Sequence, residues 1–197
     1  MYGNARKTMI FVDGENLVFR FQEMVESGWQ TKPEVIHNKD TFVWHPKLSN
    51  YKFHDLLRVS YYTSAVGDDG AINDLKKKIS QIPVQFSTAM NEDITTICPY
   101  VFKKLRSSQK TRNVDINLTI DVMRFAYSDA VDTIHLVSGD GDYLPLIQDV
   151  MRRGKEVVVS ALSSGLNPKL VDTPDLFISL DSYFFINQPA PQPADEC

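Results

Sequence analysis

The chain has 197 residues, of which 43% are hydrophobic and 23% charged, and its formal net charge is −4. That length suffices for one well-buried domain, and the composition is that of an ordinary soluble globular protein. No apolar run approaches a membrane span, the first residues lack the pattern of a secretory signal, and Cys98 and Cys197 alone cannot build a disulfide framework; a reduced, cytoplasmic setting is expected.

In chain order, Thr8–Val12 reads as a buried strand, and Leu17–Met24 continues as a helix ending near Ser27-Gly28. The stretch from about 28 to 54 holds Trp44, Pro33, Pro46 and three histidines without a clear period, and is expected to be an inserted hairpin or excursion. Leu56–Thr63 is a strand rich in β-branched and aromatic residues. A helix follows over Asp69–Ser80, then a short strand at Val84–Phe86. Asp115 to about Ser128 reads as an amphipathic helix with Ile116, Ile120, Met123 and Tyr127 on one stripe. Thr133–Val137 is a strand, Tyr143–Arg153 a helix, Glu156–Ala161 a strand and Leu176–Leu180 an edge strand. The last ten residues, 188–197, are Pro-rich and expected to be a disordered tail after a single domain over 1–187. The alternation predicts a three-layer α/β/α sandwich whose sheet is mostly parallel, with about five to six strands.

Two strands end in acid. Asp13-Gly-Glu-Asn16 follows the first, and Ser138-Gly-Asp-Gly-Asp142 follows Thr133–Val137. In parallel α/β sheets, ligands bind outside the carboxyl ends of the strands. Asp13, Asp140, Asp142 and Asp115, which begins a helix, are therefore the expected metal-site carboxylates. Gathered acids repel one another unless a cation joins them, and an all-oxygen set suits Mg2+ or Mn2+. Taken singly, each acid has a plainer reading: Asp13 and Asp142 as helix N-caps, Asp140 as a turn residue. Asn16, three residues after Asp13, either joins the site or caps the helix. Glu15 is most simply a favourable charge in the first helical turn. Asp121 stands six positions after Asp115 and so points about 120° away from it, which suits an outer contact or a surface ion pair. Ser138 either orients Asp140 or a substrate phosphate, or is a plain turn serine.

Phe11-Val-Asp-Gly-Glu-Asn-Leu17, Asn113-Val-Asp-Ile-Asn-Leu-Thr-Ile-Asp121 and Leu136-Val-Ser-Gly-Asp-Gly-Asp-Tyr-Leu-Pro-Leu146 occur in that order, followed by Arg153-Gly-Lys-Glu-Val-Val-Val159. Over about Thr8 to Leu180 this set resembles the NYN domain family, a branch of the PIN-like nucleases, and most closely its LabA-like members. The resemblance implies a PIN-like sandwich, a divalent-metal site and ribonuclease activity leaving 5′-phosphate and 3′-hydroxyl ends. Carried over by position, it makes Asp13, Asp115, Asp140 and Asp142 the metal acids, Asn16 their polar neighbour and Asp121 the more distant acid. The family's middle motif often carries Lys-Gly before Val-Asp; Lys110-Thr-Arg-Asn113 stands there instead.

A net charge of −4 neither announces nor excludes a nucleic-acid ligand, because an acidic site can offset a basic rim. The basic stretch from Lys103 to Arg112 leads directly into Asp115, so Lys104, Lys110 and Arg112 are the expected phosphate-binding residues, with Ser138. Lys76–Lys78 reads as a solvated helix face. Tyr61, Tyr62, Tyr100 and Phe102 fit core packing better than base stacking. His37, His45 and His54 match no zinc spacing. The chain has no P-loop, no dinucleotide fingerprint, no calcium loop, no nucleophile elbow and no second Asp two positions after Asp13.

The expected function is metal-dependent hydrolysis of single-stranded or flexible RNA by activated water. The alternative is a regulatory RNA- or protein-binding module with a weak or idle metal site; a structure-specific DNA nuclease ranks third. A protein partner or homodimer is left open.

Overall fold

The computed structural model describes residues 6–49, 54–87, 92–105 and 112–186. The expected tail and Lys110 lie outside them. Strand β1 (Arg6–Asp13) forms the centre, and all but its first two residues are buried. It pairs in parallel with β4 (His54–Val66) on one side and β7 (Thr133–Val137) on the other. The sheet continues through β8 (Glu156–Ala161) to β9 (Leu176–Ser179) at one edge. On the other side β6 (Glu92–Lys104) pairs in parallel with β4, and β5 (Pro83–Ser87) closes the edge antiparallel to β6. The sheet has seven strands, in the order β5-β6-β4-β1-β7-β8-β9.

Successive side chains of β1 point to opposite faces and divide the core. Ile10 and Val12 pack with α1 (Gly14–Glu26), α2 (Asp69–Ser80) and α6 (Asp181–Phe184). Met9 and Phe11 pack with α3 (Asn113–Ala126), α4 (Leu144–Arg152) and α5 (Lys169–Asp172). Covered on both faces, β1, β7 and β8 are nearly continuous apolar runs. Among the described residues, no helix is long and apolar enough to cross a membrane.

Three observations correct the expectations. The first is β6, a 13-residue strand that raises the sheet to seven. It carries Pro99, and proline cannot donate to a ladder. It is tolerated because β5 pairs only as far as Thr96, which leaves Pro99 on an open edge. The second concerns α3: the buried stripe is Val114, Leu118, Val122 and Ala126, while Ile116, Ile120 and Tyr127 are 52%, 48% and 57% exposed. The third is a 3-10 turn over Gly141–Tyr143 that precedes α4, so the α-helix begins at Leu144.

The segment after α1 contains a hairpin, β2 (Ile36–Asn38) with β3 (Phe42–Trp44). The Tyr61 hydroxyl of β4 accepts the Val43 N–H at 3.1 Å, and Phe42, Val43 and Trp44 are buried in the α1-side core. His37 lies 3.1 Å from Gln22, and His45 Nδ1 accepts the Lys47 N–H at 3.1 Å, so both are structural.

Candidate active site

All the parallel strands end on one edge, and the acids collect there. Asp13 closes β1 and, in extended backbone (φ −75°, ψ 90°), caps α1. Its Oδ1 accepts the Asn16 N–H at 3.1 Å, and its Oδ2 accepts the Ser138 hydroxyl at 3.0 Å. The strand can turn into a helix this abruptly because residue 14 is glycine: a Cβ there would stand 2.7 Å from the Tyr62 carbonyl oxygen and would overlap the Tyr61 ring.

A second chain segment is tied to the first. Asn16 Oδ1 accepts the Gly139 N–H at 3.0 Å, which anchors α1 to the loop after β7. Ser138 Oγ also accepts the Asp140 N–H at 3.2 Å, so one hydroxyl links Asp13 to Asp140. Asp140 in turn caps the 3-10 turn by accepting the Asp142 N–H at 3.0 Å. The third segment arrives with α3, whose first turn carries half-buried Asp115. Its Oδ1 accepts the Tyr143 hydroxyl at 3.2 Å.

The electrostatics record the convergence. Asp13 is 2% exposed, and burial pushes its carboxyl up to about 7. The Asn16 N–H and Ser138 hydroxyl act against this rise, while the charges of Asp115 and Glu15 add to it. Tyr143 is also buried, and its hydroxyl is held protonated far above the usual tyrosine range, by burial first and then by the charges of Asp13, Asp115 and Asp140. Three acids from three segments thus act on one hydroxyl.

The remaining expected site residues have other surroundings. Asp142 is exposed, in the first turn after Asp140. Asp121 accepts the Tyr62 hydroxyl at 2.8 Å and pairs with Arg124 at 2.6 Å. Arg112 is exposed at the head of α3. Lys104 turns inward: its side chain is 11% exposed, and Nζ lies 3.6 Å from Glu15 Oε1, which also accepts the Ser64 hydroxyl. This contact exists because β4 and β6 run four residues past the row where β1 ends: Tyr62 and Tyr100 stand level with Asp13, and Val66 with Lys104.

Sequence reasoning missed Tyr143, the Glu15–Lys104 pair and Asn167. The Asn167 N–H donates to the Gly139 carbonyl at 3.1 Å, and its side chain fills the space beside Gly141 where a Cβ would go. For Tyr143 the available signal was a polar-tipped aromatic immediately after the paired acids.

The donor set, all carboxylate and with excess negative charge on a buried acid, fits a hard divalent cation. Among the described residues, no three acidic, imidazole or thiol side chains stand close enough to ligate one as they lie. A cleft of about 840 Å³ opens at the opposite edge of the sheet, between Arg6, Asp132, Lys155 and Asp175. Its charges are largely paired, as in Arg6–Glu156 at 2.6 Å, and it is remote from the acids.

The comparisons agree with this architecture. A solved protein of unknown function from Vibrio parahaemolyticus superposes with a TM-score of 0.59 at 19% identity, over 94% of this chain and 99% of that one, which establishes likeness of fold. An uncharacterised protein of Methanocaldococcus jannaschii is 29% identical over 76 residues, which is 39% of this chain and 32% of the relative's length. The family model of the NYN domain matches residues 7–181, from the start of β1 to the first residue of α6. The chain belongs to the NYN domain family, within the PIN-like nuclease superfamily.

Proposed function

We propose that this chain is a metal-dependent ribonuclease that hydrolyses single-stranded or flexible RNA in a reducing, cytoplasmic setting. The observation that carries the reading is Asp13: a buried carboxyl, burdened by Asp115 and Glu15 and joined through Ser138 to Asp140. Such a site gains from a positive charge. Asp13, Asp115 and Asp140 would hold Mg2+ or Mn2+, with exposed Asp142 as the outlying acid. Such a cation would supply positive charge to activate water and to offset the charge building on the phosphate as the ribose 3′ oxygen leaves.

The chain's own residues set the geometry. Ser138 fixes the orientation of Asp13, and Asn16 holds the Gly139 loop against α1. Arg112, at the head of α3, presents a guanidinium to the RNA backbone, with Lys110 beside it in sequence. Hydrolysis by water leaves a 5′-phosphate and a 3′-hydroxyl, as in the PIN-like reading of the family.

A second reading, a regulatory RNA- or protein-binding module, is favoured by two observations: both Asp13 oxygens already accept hydrogen bonds, and among the described residues no three ligands are in place. End-labelled single-stranded RNA separates the two. Cleavage that requires Mg2+ or Mn2+, stops in EDTA and is lost in Asp13→Asn supports the nuclease. Binding without turnover in either metal supports the module.

A further inference from the structure

Two buried tyrosines each donate a hydroxyl to a carboxylate of α3. Tyr62, on β4, reaches Asp121 Oδ2 at 2.8 Å; Tyr143, in the 3-10 turn after β7, reaches Asp115 Oδ1 at 3.2 Å. The two acids are six residues apart, so they project about 120° from one another around the helix. Asp121 is also paired with Arg124 at 2.6 Å. The Asp115 bond is made from the same turn that Asp140 caps.

The Tyr143 ring belongs to the core cluster that contains Val114, Leu118 and Leu146, and the residue is 4% exposed. Packing therefore fixes where its oxygen sits. Asp115 is half-buried in the first turn of its helix, within hydrogen-bond reach of that oxygen. A hydroxyl fixed by packing and bonded to a carboxylate oxygen favours one of the carboxylate's staggered rotamers.

We infer that Tyr143 is a positioning residue for cation binding: its core-held hydroxyl aims the Asp115 carboxylate into the cleft shared with Asp13 and Asp140. This rests on the reading of that cleft as a divalent-cation site. Partners of this outer kind typically change metal affinity by roughly ten- to a hundredfold when removed.

The test titrates Mn2+ into the full chain and follows free Mn2+ by electron paramagnetic resonance, for wild type, Tyr143→Phe and Tyr62→Phe. Tyr143→Phe should weaken binding roughly tenfold. Tyr62→Phe removes the same atom from the other tyrosine–aspartate bond and should leave Mn2+ affinity unchanged. Thermal unfolding without metal adds a second readout: Tyr143→Phe and Asp115→Asn should be non-additive, because they share one hydrogen bond. Unchanged Mn2+ affinity in Tyr143→Phe, or equal weakening in both tyrosine variants, would overturn the inference and leave the cation site standing. A wild-type chain that takes up no Mn2+ would overturn the reading of the cleft itself.

Discussion

Ser138 donates its hydroxyl to Asp13 Oδ2 at 3.0 Å and accepts the Asp140 N–H at 3.2 Å, so the ends of β1 and β7 share one oxygen atom. Ser138→Ala removes both contacts at once inside a buried region. It should cost about 1–2 kcal/mol of stability, read as a lower urea midpoint with an unchanged slope. RNA cleavage should fall further than stability accounts for, because Asp13 and Asp140 lose their common tether.

Asp13 gives the chain a pH signature. An exposed carboxyl titrates near 3.9, whereas Asp13 in the fold is held up to about 7. The folded state binds this proton more tightly, so the contribution is fully present below about pH 4 and is lost as pH rises through about 7. Without metal, stability should decline by a few kcal/mol across that window through this residue. Asp13→Asn should flatten the difference, and so should saturating Mn2+. The check is thermal melting of the wild type and the variant from acid to neutral pH.

Lys104 and Arg112 should separate. Lys104→Met strands Glu15, and with side chains 11% and 22% exposed at 3.6 Å the loss should be about 1 kcal/mol. Arg112 faces solvent, so Arg112→Ala should leave stability unchanged. It should weaken RNA binding and reduce the salt slope of log affinity by about one. Fluorescence anisotropy over a salt series measures this.

Gly14→Ala should be among the most damaging small substitutions. The added methyl meets the Tyr62 carbonyl at 2.7 Å, which is backbone and cannot rotate away. A loss of about 2 kcal/mol or more is expected in chemical denaturation. The variant should also displace Asp13 and so lose cleavage.

Much of the fold was legible in the residues themselves. The strands at Thr133–Val137 and Glu156–Ala161 and the helix at Asp69–Ser80 fall where the sequence pattern places them. The face of α3 was not legible, because Val114, Leu118 and Val122 make as good an apolar stripe as Ile116, Ile120 and Met123. Periodicity cannot choose between two such stripes; only the packing against β1 does. Strand β6 holds Pro99, whose tolerance depends on where β5 stops pairing.

The site divides in the same way. Asp13 and Asp140 could be read from their places after buried strands. The bond between Tyr143 and Asp115 joins residues 28 apart and exists only once α3 lies over the sheet. The inward turn of Lys104 depends on the overhang of β4 and β6, which no local pattern encodes.

If Asp13, Asp115 and Asp140 together hold one divalent cation, crystals soaked in Mn2+ should show it by anomalous diffraction. The expected peak lies about 2 Å from carboxylate oxygens of all three residues, after a small closing movement of the acids. A Mn2+ peak elsewhere on the molecule, or none at this edge at saturating Mn2+, would contradict it.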